Sequence, residues 1–117
     1  MLKKPLGEEK DEVIKRLRVL RERKGLECKE LSLLLGNEEQ YISRMENGKF
    51  YPSHDSIEMI IKFCDSSLEE LYYHDFELYK YDMKLLESMK AMSSKSRELI
   101  LEFIKDVHSN RDAKGRA

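Results

Sequence analysis

The sequence predicts an all-α fold, and three observations carry that expectation. Apolar residues recur three and four positions apart through most of the 117 residues, the spacing that stacks side chains on one helix face. Valine and threonine are scarce, so nothing favours a sheet. The chain has only two prolines and five glycines, and Gly25, Gly36 and Gly48 stand where periodic segments stop, as helix-ending residues do.

The elements follow in order. Residues 1–10 carry Pro5, Gly7 and mixed charges and are expected to form a flexible N-terminal arm. Asp11 is positioned to cap a first helix whose stripe Val13, Leu17 and Leu20 faces a core and which Gly25 ends. A second, short amphipathic helix begins at Cys28 and stops at Gly36. In the third, Ile42 and Met45 lie one turn apart, Ser43 and Arg44 leave an adjacent face polar, and Asn47-Gly48 supplies a left-handed terminus. Two short helices on a tight, glycine-marked turn constitute a helix-turn-helix unit. Pro52-Ser53 opens a fourth helix, capped by Ser53, with Ile57, Ile60 and Ile61 inward and Cys64 or Phe63 completing that face. Ser67-Leu68-Glu69-Glu70 forms a capping box before a fifth helix ending near Tyr72.

Beyond this point the pattern changes. Residues 76–92 form a helix carrying Leu78, Tyr79, Met83, Leu85, Leu86, Met89 and Met92. Ser93-Ser94 interrupts it and caps another, with Leu99, Ile100, Leu101, Phe103, Ile104 and Val107. Together they read as a helical hairpin over residues 74–109, followed by a flexible tail at 110–117. Its apolar face is wider than two helices hide from each other, so it needs a partner, either residues 11–73 or, as favoured here, a second copy.

Composition narrows the function. A 38% charged, 40% hydrophobic chain of this length suits a small helical domain with an appendage. No apolar run approaches a membrane span and the first residues lack the apolar core of a signal peptide, so a cytoplasmic location is expected. Cys28 and Cys64 lack neighbours at metal-ligand spacing and are expected to be free thiols. His54, His74 and His108 are scattered, and no nucleophile–base set or phosphate loop accompanies them; no enzyme, metal or cofactor is expected. The 22 basic and 23 acidic residues give a net charge of −1, although Lys15, Arg16, Arg18, Arg21, Arg23 and Lys24 concentrate cations along the first helix.

These motifs carry a resemblance. Val13, Arg16, Leu17, Leu20 and Arg21, then Lys24-Gly25-Leu26, Glu30-Leu31, Leu34-Leu35-Gly36, Ile42-Ser43-Arg44, Glu46-Asn47-Gly48-Lys49, Pro52-Ser53 and Ser67 to Leu71 resemble the Cro/cI-like, or XRE-type, helix-turn-helix family over residues 13–71. The resemblance implies a lambda-repressor-like five-helix domain whose third helix lies in the major groove of duplex DNA. At the matching positions, Glu39, Gln40, Ser43 and Arg44 would read bases, and Asn47 and Lys49, with the backbone amides near Asn47, would hold phosphates. Arg21 and Glu46 would form a structural ion pair. The C-terminal hairpin is similar in organisation, not in sequence, to the multimerising hairpin of some repressors that restrain sporulation and biofilm genes. A sequence-specific regulator follows, a repressor that binds a palindromic operator as a homodimer.

Several positions depart from the family pattern. Glu27 replaces a small polar cap, Cys28 replaces a phosphate-contacting Gln, and Asn37-Glu38-Glu39 stand where an apolar residue followed by hydroxyl and polar or basic residues is usual. Two carboxylates suit a helix N-terminus but would face phosphates. They support an alternative: a degenerate helix-turn-helix module that binds a partner regulator protein and has weak or no affinity for DNA.

Overall fold

The computed structural model describes the backbone of residues 7–116 and the side chains of residues 7–110, and every regular element among them is helical. Residues 1–6 of the arm expected at 1–10, and Ala117, lie outside the described residues, while residues 8–10 are helical and belong to α1. Five helices come first: α1 (Glu8–Lys24), α2 (Cys28–Leu34), α3 (Tyr41–Glu46), α4 (His54–Phe63) and α5 (Leu68–Leu71). A single 3-10 turn, Phe76–Leu78, precedes α6 (Tyr79–Met89) and α7 (Ser94–Arg116). The chain divides into two compact units, Met1–Glu77 and Leu78–Ala117.

Local chemistry sets the helix ends of the first unit. α1 starts at Glu8 after Gly7, three residues before the expected cap Asp11. Asp11 instead joins Glu8 and Glu9 in the first turn, where carboxylates complement the positive end of the helix dipole. At the other end Gly25 adopts φ 77° and its N–H donates to the Glu22 carbonyl at 3.0 Å, while Leu26 N–H reaches the Arg21 carbonyl at 3.2 Å, the left-handed terminus that glycine makes cheaply. Glu30 accepts from the Glu27 amide at 3.0 Å, so α2 is capped without the small polar residue the family favours. Ser53 Oγ accepts from Ser56 N–H at 3.2 Å, the cap expected for α4, and Ser67 Oγ accepts from Glu70 N–H at 3.1 Å; the other half of the capping box expected for α5 gives way to a bond from Ser66 Oγ to the Glu70 carboxylate at 2.7 Å.

The core is continuous across all five helices. Val13, Ile14, Leu17 and Leu20 of α1 meet Leu31 of α2, Ile42 and Met45 of α3, Ile57, Ile60, Ile61 and Cys64 from α4 and its end, and Leu71 of α5. Each fully buried Leu or Ile side chain contributes about 1.5–3 kcal/mol by leaving water. Cys64 completes the buried face of α4, and Phe63 packs against it only partly buried.

Phe76 corrects the expected start of the C-terminal helix. Its ring is buried in the first unit's core, with the Arg16 guanidinium 5.3 Å and that of Arg23 4.9 Å from its centroid. Arg16 Nη1 also donates to the carbonyls of Leu71 at 2.8 Å and Tyr73 at 2.6 Å. These bonds hold the end of the first unit onto α1, so the aromatic residue ends that unit and the helix begins at Tyr79.

In the second unit, Ser93 Oγ caps α7 by accepting from Ser96 N–H at 3.2 Å, and Arg97 Nη2 donates to the Met89 carbonyl at the end of α6 at 2.7 Å. No described side chain of α6 or α7 is buried. Helix α7 runs on to Arg116 instead of giving way to a tail at residue 110, because neither a proline nor a cap interrupts Asn110 to Lys114. No helix among the described residues is long and apolar enough to cross a membrane.

Candidate nucleic-acid interface

The turn between α2 and α3 is built from its backbone outward. Gly36 takes φ 77°, its N–H donating to the Leu33 carbonyl at 2.9 Å, and Asn37 N–H reaches the Ser32 carbonyl at 3.0 Å. Ser32 is wholly buried; its hydroxyl donates to the Cys28 carbonyl at 2.7 Å and accepts from Ile42 N–H at 3.0 Å. One hydroxyl thus ties the first turn of α3 to α2. Nothing in the sequence singled out Ser32, since a serine within Leu31-Ser32-Leu33 has no local partner that marks its role.

With Ile42 and Met45 buried beneath α3, its opposite side faces solvent. Glu39, Gln40 and Arg44 are exposed and Ser43 is half-buried, its hydroxyl donating to the Gln40 carbonyl at 3.1 Å. Arg44 Nη1 donates to Glu38 Oε1 at 2.7 Å and Nη2 to Gln40 Oε1 at 3.2 Å. Lys29 Nζ of α2 lies 3.6 Å from Glu39 Oε1. Tyr41 points away from this face: its hydroxyl is 3.1 Å from Ser56 Oγ and its ring 5.0 Å from that of Phe50, so it braces α3 against α4.

The far end of α3 is clamped to α1. Arg21 Nε and Nη2 grip the two oxygens of Glu46 at 2.6 and 3.0 Å, and Arg21 Nη1 donates to the Leu26 carbonyl at 2.7 Å. Both side chains are nearly buried, 11% and 7% exposed, and the carboxylate of Glu46 raises the pKa of Arg21 above its ordinary value. Cys28 Sγ lies 3.7 Å from Glu46 Oε1; burial first, and then this carboxylate, push the thiol up. Its side chain is therefore turned to the clamp rather than offered to a ligand.

Residues 15–71 match the family model described as a helix-turn-helix domain. The match begins within α1, at Lys15, and continues to the end of α5. No curated protein and no solved structure matches the chain.

Within this helix-turn-helix domain, the backbone amides that follow α3 are already committed. Asn47 N–H donates to the Ser43 carbonyl, Gly48 N–H to Met45 and Lys49 N–H to Arg44, at 3.0, 2.9 and 3.0 Å. The expectation that amides near Asn47 hold phosphates is corrected accordingly; the exposed side chains of Asn47 and Lys49 are what this end of the domain offers. Lys49 forms no ion pair among the described residues.

The cations of α1 do not make the free basic face their clustering suggested. Arg16 pairs with Glu12, Arg18 with Glu22 and Glu46, and Arg21 with Glu46. Arg23 pairs with Glu70 and Glu77, and Lys24 with Asp65. Of the six, only Lys15 has no acidic partner among the described residues. A helix with cations all round its circumference distributes them to several neighbours, which a count along the sequence does not reveal.

Proposed function

We propose that the protein is a sequence-specific DNA-binding transcriptional regulator of the Cro/cI, or XRE, type. The observation that carries this reading is the helix-turn-helix domain itself, with Ile42 and Met45 holding α3 down while Gln40, Ser43 and Arg44 occupy its outward side. A short helix held by its apolar side and bare on its polar side is what enters a major groove. Arg44 donates to guanine O6 and N7, Gln40 bridges adenine N6 and N7, and Glu39 accepts from cytosine N4. Lys49 and Asn47 contact phosphates and set register without reading sequence. The Arg21–Glu46 clamp keeps α3 at one angle to α1, which base readout requires.

The regulator acts as a repressor that binds a palindromic operator as a homodimer. Leu85, Leu86, Leu99, Leu101, Phe103 and Ile104 are all exposed large apolar residues of the second unit, and a second copy of that unit is the partner that would cover them. Two copies would set their recognition helices about 34 Å apart along one face of the duplex. A cytoplasmic location follows from this DNA-binding reading. Selection of bound sequences from random duplex DNA tests the reading: a palindromic motif whose affinity falls as salt rises is the expected result. No enrichment at low salt would overturn it and leave the protein-interaction alternative.

A further inference from the structure

The outward side of α3 is neutralised from within the chain. Glu38 sits in the turn before the helix, six residues from Arg44, and its carboxylate and the Gln40 amide together take up two guanidinium nitrogens of Arg44. Glu39 takes up Lys29 in the same way at 3.6 Å. All five side chains are exposed, so no packing locks these pairs; they persist only while nothing better is offered. The two carboxylates occupy the cations that would otherwise meet phosphates first.

We propose that Glu38 is a specificity-determining residue that gates Arg44. The inference rests on the DNA-binding reading and adds what sets its selectivity. For Arg44 to contact DNA it must leave both Glu38 and Gln40. A guanine edge returns two acceptors to the guanidinium, and an adenine beside it returns a donor to the released Gln40 oxygen and an acceptor to its amide N–H. A phosphate returns acceptors to Arg44 alone, leaves Gln40 without its partner and brings an anion up to the freed Glu38. The cost of opening is the same on every sequence and the compensation is not, so the carboxylate lowers affinity for DNA in general and widens the gap between right and wrong sites, by repulsion built into the free protein.

The Glu38 side chain makes no other hydrogen bond or ion pair among the described residues, so Glu38→Ala and Glu38→Gln leave the packing of the domain alone. The test uses the full chain with two duplexes of equal length, one of mixed sequence and one recovered by selection. Glu38→Ala is expected to tighten binding to the mixed duplex by about three- to tenfold, from the loss of one exposed ion pair and one phosphate-facing anion. The salt dependence should steepen by about 0.9, one additional phosphate contact. Affinity for the selected duplex should rise less, so the ratio between the two falls. In an Arg44→Ala background the Glu38→Ala gain should largely disappear. An equal gain there would mean that the carboxylate merely repels DNA, and the gate is overturned. Binding by the native chain that Glu38→Ala leaves unchanged on both duplexes would overturn the gate alone. No binding by either protein at low salt would remove the DNA-binding reading and the gate with it.

Discussion

The two units of this chain are comparably rich in leucine, isoleucine and aromatic residues, yet only the first buries them. In Met1–Glu77 the apolar stripes of α1 to α5 close on one another and extend to Phe76; in Leu78–Ala117 the stripes of α6 and α7 carry no buried side chain among the described residues. Five helices that share one core enclose a volume, whereas two helices present a surface. The first unit therefore has the contacts of a self-sufficient domain, and the second leaves its large apolar side chains exposed.

The largest effects belong to the Arg21–Glu46 clamp and to Phe76. Arg21→Ala strands the carboxylate of Glu46 at 7% exposure and is expected to destabilise the first unit by about 3–5 kcal/mol, read from urea unfolding. Phe76→Ala should cost about 3 kcal/mol through lost burial and loss of the ring between Arg16 and Arg23. A chain cut after Glu77 should therefore unfold like the first unit of the intact protein, while one cut after Tyr73 should be clearly weaker. Equal stability of the two truncations would move the boundary back before Phe76 and sharpen the division differently.

Cys64 supplies a pH-dependent version of the same contrast. Burial pushes its thiol up from 9.0 to about 11. As pH rises past 9 the unfolded chain loses this proton while the folded one keeps it, so stability is intact below pH 9 and declines until the folded thiol ionises near 11. Across that window the loss amounts to about 2–3 kcal/mol. Cys64→Ala should remove that part of the alkaline slope, and a slope that survives the substitution would assign it to other groups. Smaller still, Ser53→Ala and Ser67→Ala should each cost about 1 kcal/mol by leaving the Ser56 and Glu70 amides uncapped.

In the second unit the same kind of substitution should act in the opposite place. Ile100→Asp with Ile104→Asp is expected to leave the first unit's unfolding within about 0.5 kcal/mol of the native chain, and to convert the proposed dimer to monomer in sedimentation. A large loss of first-unit stability would show that α7 contributes to that core after all.

What could be read in advance divides along physical lines. Helix termini were legible because Gly25, Gly48, Ser53 and Ser67 act on backbone atoms within a few residues of themselves. The buried faces of α1, α3 and α4 were legible because their apolar spacing is helical. The start of α1 at Glu8 is not legible in the sequence because Glu8 and Glu9 suit the first turn as well as Asp11 does, and Gly7 stands at the cap. Ser32 was hidden because its hydroxyl bridges two helices, and Phe76 because it sits in a three-residue turn too short to show a period. At the interface, the exposed residues of α3 could be placed by matching a family pattern. The pairing of Arg44 with Glu38 could not, because six residues across a turn is no regular helical interval. Of the partners of the α1 cations, Glu12 and Glu22 stand at the helical i,i+4 interval, whereas Glu46, Glu70 and Asp65 are neighbours that only the folded chain brings close.

The central claim is that α3 reads bases through Arg44, and the most direct test is a position-by-position affinity profile of Arg44→Ala on a selected duplex and its single-base variants. Arg44→Ala should lose about 1–3 kcal/mol on the selected site and become indifferent to the base at one position in each half-site. Lys49→Ala, by contrast, should weaken every variant alike. A profile in which Arg44→Ala keeps the native preference at every position would contradict the account.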